Sequence, residues 1–212
     1  MTGRSTVAGA GAIAFGALTI VGFLGGAPGG DYDESTVADY VSSGHLPAVI
    51  ATGYLAILGV VGLICLFAYL RELVGADPGR QFATSIVWGI GLASAISFAV
   101  GWGLVTGIAV AAAEGGSGAR VPHPVTYQLS DTSVNVLFGS GGILLGFALI
   151  ALMLSTRGQL PVWLRWVTLV AGVLALGSPF YFPAFAIPLW AILFGVWLIA
   201  AGRRLPATPW PA

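Results

Sequence analysis

Four side chains in this sequence could form a polar site on one side of a membrane. Asp131 and Asn135 stand four residues apart, about one helical turn, and His45 and His123 are the two histidines of the chain. Two imidazoles and a carboxylate can bind zinc or copper. These residues lack the HxH or HxxxH spacing of a built metal site, however, so we expect no resident metal or other cofactor.

Motifs for other chemistry are missing. The sequence has no Walker A, HExxH or GxSxG motif and no ionisable residue in the middle of an apolar stretch, so no catalytic set can be assigned and a non-enzymatic role is favoured. A single cysteine excludes an intramolecular disulfide and a cysteine metal cluster. Eight arginines, no lysine and eight carboxylates give zero net charge, which excludes the basic surface of a nucleic-acid-binding protein.

The composition is that of an integral membrane protein. Hydrophobic residues make up 57% of the 212 residues and charged residues only 8%, whereas soluble domains carry about 25% charged residues. A helix needs about 20 mostly apolar residues to cross a bilayer. Six stretches meet or approach this length and predict an all-α bundle of six transmembrane helices, in one domain over residues 1–212: 7–25, 46–70, 82–113, 132–154, 162–177 and 183–201.

The arginines predict the orientation of this bundle. If both termini lie in the cytoplasm, seven arginines fall inside and only Arg120 falls outside, as the positive-inside rule requires. This predicts a multi-pass protein of the bacterial cytoplasmic membrane. The first stretch also resembles a signal peptide, because Arg4 precedes the apolar run and small residues 25–27 follow it. Its apolar run is longer than usual, which favours a retained helix; cleavage would leave five spans in the same orientation.

Two outer loops must position the histidines and the aspartate. In the first, the spacing of Val37, Tyr40 and Val41 predicts a short amphipathic helix over residues 33–41. The second, residues 114–130, is rich in glycine and then contains Pro122-His123-Pro124, which predicts extended backbone.

Glycines at helical spacing predict where helices approach one another closely. Gly139, Gly142 and Gly146 continue the stripe of Asp131 and Asn135 along the fourth stretch. This stripe is either a helix cap followed by a packing seam or the polar end of a cavity that opens outward. Gly103 and Gly107 form a GxxxG pair on the third stretch, for which helix packing is also predicted.

The order of these features resembles a family of small six-span bacterial membrane proteins, common in actinobacteria and described only as a domain of unknown function. The resemblance rests on the acidic segment 33–41, the glycine-rich fourth stretch, the sequence QLPVWLRW at residues 159–166 and the proline-marked aromatic turn over 179–188. It implies a six-span fold and carries no catalytic residue or activity that could be transferred.

Three functions remain open. The leading hypothesis is a non-catalytic scaffold or accessory subunit in the lipid bilayer, packed against a membrane-protein partner or a second copy, because small-residue seams are abundant and no catalytic set is present. The alternative is a small carrier or channel for a neutral or apolar solute that enters from the outer face near Asp131 and Asn135. The third hypothesis is an outer-face metal-handling protein or enzyme that uses His45, His123 and Asp131.

Overall fold

The structure, a computed structural model, describes residues 2–24, 35, 44–75, 78–114, 124–180 and 185–202. These residues are helical and contain no strand, as the sequence predicts. Single turns of 3-10 helix lie at Pro78–Arg80 and Ser178–Phe180. Six α-helices can be given bounds within the described residues: α1 (Thr2–Leu24), α2 (Leu46–Gly75), α3 (Gln81–Glu114), α4 (Pro124–Ser155), α5 (Val162–Leu176) and α6 (Ala186–Gly202).

Helices α1 to α4 are long and apolar enough to cross a membrane. Helices α5 and α6 are apolar but shorter, with 15 and 17 residues. At 1.5 Å per residue, α3 with its 34 residues is about 51 Å long and extends beyond a hydrocarbon core of about 30 Å. The structure is therefore all-helical, with four helices that qualify as spans by length and composition.

The start of α4 differs from the sequence prediction. Residues 124–130 were expected in an extended loop, but α4 begins at Pro124 and runs through them. Proline is favoured in the first turn of a helix because its missing N–H has no intrahelical acceptor there. The helix is continuous through these residues and into the predicted span. Within it, Thr132 Oγ1 donates to the carbonyl oxygen of Gln128 at 2.8 Å. Pro122, His123 and the expected helix over 33–41 lie outside the described residues, apart from Ser35, which is helical.

The six helices form a ring in chain order. Each helix packs on the next, from α1 to α6, and α6 packs on α1. The contact between α5 and α6 is the smallest of these. Side chains that are fully buried in the middle of the ring include Phe15, Phe67, Leu145, Trp190 and Phe194.

Glycine pairs bring the helix backbones together. Gly11 on α1 faces Gly62 on α2, and Gly9 on α1 faces Gly195 on α6. A Cβ atom added to Gly11 would lie 2.7 Å from the carbonyl oxygen of Gly62, closer than real Cβ atoms approach. Helix α1 is therefore held between two neighbours by contacts that only glycine permits.

One end of the bundle carries the charged contacts, and we call it the arginine end. Arg4 on α1 pairs with Glu72 on α2 at 3.1 Å, and both side chains are more than half exposed. Arg80 donates to the carbonyl oxygen of Ser155, which ties the start of α3 to the end of α4. Every described arginine lies at this end: Arg4, Arg71, Arg80, Arg157 and Arg165.

Candidate functional site

A cavity of about 540 Å³ lies toward the end of the bundle opposite the arginines, and we call it the Thr19 cavity. Helices α1, α3, α4 and α6 and the turn Ser178–Phe180 form its wall. Sites for small molecules typically have volumes of about 300–1,000 Å³ and mostly apolar walls with a few polar groups. Aromatic side chains dominate this wall: Phe15, Phe23, Phe98, Phe138 and Phe185.

Phe23, near the end of α1, holds the aromatic wall together. Its ring centroid lies 5.5 Å from that of Phe138 and 5.8 Å from that of Phe185. Trp102 on α3 packs behind both, at 5.3 Å from Phe23 and 4.9 Å from Phe138. These separations are typical of tilted and edge-to-face aromatic pairs, which contribute beyond their buried area. The rings thus fix the relative positions of α1, α3, α4 and α6 around the cavity.

Thr19 is the buried polar group of this wall. Its side chain is 4% exposed, it lines the cavity, and its Oγ1 has no hydrogen-bond partner among the described residues. Helical threonines ordinarily donate to the carbonyl four residues earlier, as Thr106 Oγ1 does to Trp102 at 2.8 Å and Thr156 Oγ1 does to Leu152 at 2.7 Å. The hydroxyl of Thr19 is therefore left for a molecule inside the cavity.

The sequence analysis did not select Thr19, although a signal was present. It is the one polar side chain in the stretch 7–25, and a polar group in a membrane span is costly. A second buried polar atom also lacks a partner among the described residues. It is the Nε1 of Trp102, which lies nearby in the fold. Two such groups around one aromatic cluster call for an explanation.

Asp131 and Asn135 come together as their spacing allows. Asn135 Nδ2 donates to Asp131 Oδ2 at 3.0 Å, and Asn135 lines the cavity at its rim, the end away from the arginines. Each side chain is partly buried. The amide of Asn135 is thus positioned by Asp131, while its Oδ1 accepts no bond from the described residues and remains an acceptor at the rim.

Three other hydroxyls of the wall have partners within the chain. Thr132 Oγ1 donates to the carbonyl oxygen of Gln128. Ser140 Oγ donates to the carbonyl oxygen of Leu137 at 3.1 Å and lies 3.1 Å from Ser97 Oγ. Ser178 Oγ donates to the carbonyl oxygen of Ala175 at 2.6 Å. Thr19 and Asn135 are therefore the wall residues best placed to hydrogen-bond an occupant.

His45 does not join this site. His45 is exposed, and its backbone carbonyl accepts from Val49 N at 3.0 Å in the first turn of α2. It does not line the cavity. His123 lies outside the described residues. Among the residues that the structure describes, no three potential metal ligands come together.

The predicted packing glycines divide into two groups. Gly139 faces Pro179, Gly142 faces Ser178, and a Cβ at Gly146 would lie 2.7 Å from the carbonyl oxygen of Gly172. These three therefore seat α4 against α5 and the turn Ser178–Phe180. Gly103 and Gly107 instead face outward from α3, and nothing lies within 4 Å of a Cβ built at either. The fold thus gives this GxxxG pair no packing partner among the described residues.

The wall of the Thr19 cavity has the apolar character typical of a small-molecule site. Among the described residues that line it, none has an ionisable side chain. Its apolar surface and two available polar groups fit an uncharged molecule. No family model, curated protein or solved structure matches the chain.

Proposed function

We propose that this chain is a six-span integral membrane protein that binds one small, mostly apolar molecule in the Thr19 cavity. The observation that carries the proposal is the unpartnered hydroxyl of Thr19 in the wall of a cavity of about 540 Å³. A buried polar group without a hydrogen bond costs about 1–3 kcal/mol. An occupant that hydrogen-bonds Thr19 offsets this cost and covers the aromatic wall.

The ring of helices supports the proposal that α5 and α6 cross the membrane together with α1 to α4. Without α5 and α6, α1 would lose its seat on α6, and the buried glycine seam of α4 would face lipid. At 15 residues α5 is about 22 Å long, so the bilayer must thin locally or flanking residues must reach the interface. Trp163 and Trp166 suit that role, because both are more than half exposed and stand beside Arg165.

The same ring supports a retained α1 and a defined orientation. Helix α1 contributes Phe15, Thr19 and Phe23 to the cavity wall, so the proposed site requires it. Placement of the arginine end in the cytoplasm satisfies the positive-inside rule. The Thr19 cavity then lies in the outer half of a bacterial cytoplasmic membrane. This agrees with a carrier or receptor for a neutral or apolar solute reached from the outer side.

Native mass spectrometry tests the binding proposal. The protein should be extracted from its own membrane in mild detergent, alongside the variants Thr19→Val and Thr106→Val. Both substitutions replace a buried hydroxyl by a methyl group of similar size, but only Thr19 faces the cavity without a partner. We expect one retained small molecule per chain in the wild type and in Thr106→Val, and a reduced fraction in Thr19→Val. Retention that is equal in all three contradicts the assigned site.

A second candidate, a scaffold that associates with another copy, has support from the outward face of α3. Gly89, Gly103 and Gly107 lie on this face with open space around them. Gly89 and Gly107 are separated by 18 residues, which is about five full turns, so they fall on one line along the helix. The exposed side chains of Ile96 and Val100 lie between them on the same face, so close approach of a second helix in lipid centres on the pair Gly103 and Gly107.

Cross-linking in the native membrane tests this second candidate. Gly103→Leu adds bulk to open space, so the single chain should fold, while a dimer formed through α3 should be lost. Val170→Leu on the exposed face of α5 is the matched control, since Val170 is 55% exposed. A dimer that persists in Gly103→Leu, or no dimer in the wild type, contradicts association through this face.

A further inference from the structure

We infer that the molecule bound in the Thr19 cavity is an uncharged lipid that enters sideways from the outer leaflet, between α4 and α6. This inference rests on the proposed binding function and assigns its ligand class and its route. Three features of the cavity carry it: lining residues beside α4 and α6 that are exposed on the outside of the ring, the length of the lining along α4, and the carboxylate at the rim.

Helices α4 and α6 both line the cavity but do not pack extensively on each other, because α5 and the turn Ser178–Phe180 stand between them in the ring. The cavity can therefore open sideways only where its lining residues are exposed on the outside of the ring. Val136 on α4 and Phe185 before α6 line this part and are 64% and 48% exposed. The candidate span on α4 begins at Asp131, and Val136 lies five residues further along it. The exposed side of Val136 therefore faces acyl chains rather than water.

The cavity is elongated along the helices. Its lining on α4 extends from Thr132 to Ile143, which is 11 residues or about 16 Å. This is about half of a hydrocarbon core of about 30 Å, the depth of one leaflet. A molecule that reaches from one end of this lining to the other lies along the helices and has the length of part of an acyl chain.

The two polar groups mark where that molecule carries its own polar atoms. The ring of Phe23 contacts Phe138, while Thr19 lies four residues deeper on α1 and Asn135 three residues nearer the rim on α4. Thr19, which is 4% exposed, therefore lies deeper in the cavity than the partly buried Asn135. The lipid therefore has a polar head at Asn135 and, further along, an oxygen that can hydrogen-bond Thr19.

Charge selects the head group. The carboxylate of Asp131 is hydrogen-bonded to Asn135 at the rim, and every described arginine lies at the opposite end of the bundle. An anionic head would be placed beside this carboxylate, and none of the described residues that line the cavity carries a positive charge to compensate the repulsion. An uncharged head with hydroxyl groups can instead donate to the Asn135 carbonyl and accept from its amide.

Native mass spectrometry with two probes of one chain length tests this assignment. Delipidated protein should be titrated with monoolein, which is uncharged, and with oleate at alkaline pH, where it is an anion. We expect monoolein to bind one molecule per chain, at least about tenfold more tightly than oleate. Thr19→Val should weaken monoolein binding about fivefold, as expected for one lost hydrogen bond, and Thr106→Val should leave it unchanged.

A blocking variant tests the route. Val136→Trp should slow monoolein uptake, while Val170→Trp on the exposed face of α5 should not. Uptake at the wild-type rate in Val136→Trp overturns the sideways route. Oleate that binds as tightly as monoolein overturns the uncharged ligand class but leaves the proposed function intact. If neither probe binds at one per chain and the protein from its own membrane holds no molecule, the proposed function fails as well.

Discussion

Asn135 Nδ2 lies 3.0 Å from Asp131 Oδ2, one turn away on α4, at the rim of a cavity whose deeper polar group is Thr19. A pair four residues apart on a helix holds each side chain in place, so the amide at the rim is pre-oriented before any ligand arrives. The rim and the deep hydroxyl together define a site for a molecule with polar atoms at two depths.

Removal of the rim amide should weaken ligand retention. Asn135→Leu eliminates the hydrogen-bonding group and leaves Asp131 without its partner, so we expect the fraction of chains with a retained molecule to fall several-fold. Asp131→Asn is the matched variant, because it keeps a hydrogen-bonding neighbour for Asn135 and removes only the charge. Retention in Asn135→Leu at the wild-type level would show that the rim does not contribute to binding.

Thr19→Val should have opposite effects on stability and on binding. In the ligand-free protein it removes a buried hydroxyl without a partner, so we expect the free energy of unfolding to rise by about 1 kcal/mol. Thr106→Val removes a hydroxyl bonded to a carbonyl that already lies within the helix, so its effect should be small. Thermal unfolding of delipidated protein in detergent measures both changes, and a destabilised Thr19→Val would indicate a missed internal partner.

The contact between Gly11 and Gly62 should be intolerant of bulk. Gly11→Leu forces its Cβ against the carbonyl oxygen of Gly62, and overpacking of this kind costs about 1–3 kcal/mol or more. We expect a lower melting temperature and a loss of the folded peak in size-exclusion chromatography. Gly89→Leu on the open face of α3 is the control and should fold normally, since leucine is the better helix former.

Cysteine labelling should place the arginine end inside the cell. With Cys65→Ser as the background, His45→Cys and Arg157→Cys put single thiols on exposed positions at opposite ends of the bundle. A membrane-impermeant maleimide added to intact cells should label His45→Cys only, and both variants after permeabilisation. Labelling of Arg157→Cys alone in intact cells would invert the topology and move the Thr19 cavity to the cytoplasmic leaflet.

The sequence was sufficient for the features that depend on one helix at a time. Apolar length predicts the helices, and the four-residue spacing of Asp131 and Asn135 permits the hydrogen bond that forms. The start of α4 was misplaced because proline was interpreted as a signal for extended backbone when Pro124 instead occupies the first turn of a helix.

The cavity could not be predicted, because it depends on which helices become neighbours. Thr19 lines a cavity only because α1 lies beside α3, α4 and α6. The residue pattern of α1 alone does not predict these neighbours. For the same reason the glycines of α4 and those of α3 looked alike in the sequence. Gly142 and Gly146 face α5 and its following turn, whereas Gly103 and Gly107 face open space.

The most direct test of the binding site is to fill it. Ile143→Trp places an indole in the cavity, whereas Phe147→Trp, one turn further along α4, is the control because Phe147 is 53% exposed and lies outside the wall. All three proteins should be extracted from their own membrane and weighed by native mass spectrometry. Our account predicts one retained molecule per chain in the wild type and in Phe147→Trp, and none in a folded Ile143→Trp. Equal retention in all three proteins, or no retained molecule in any of them, would contradict it.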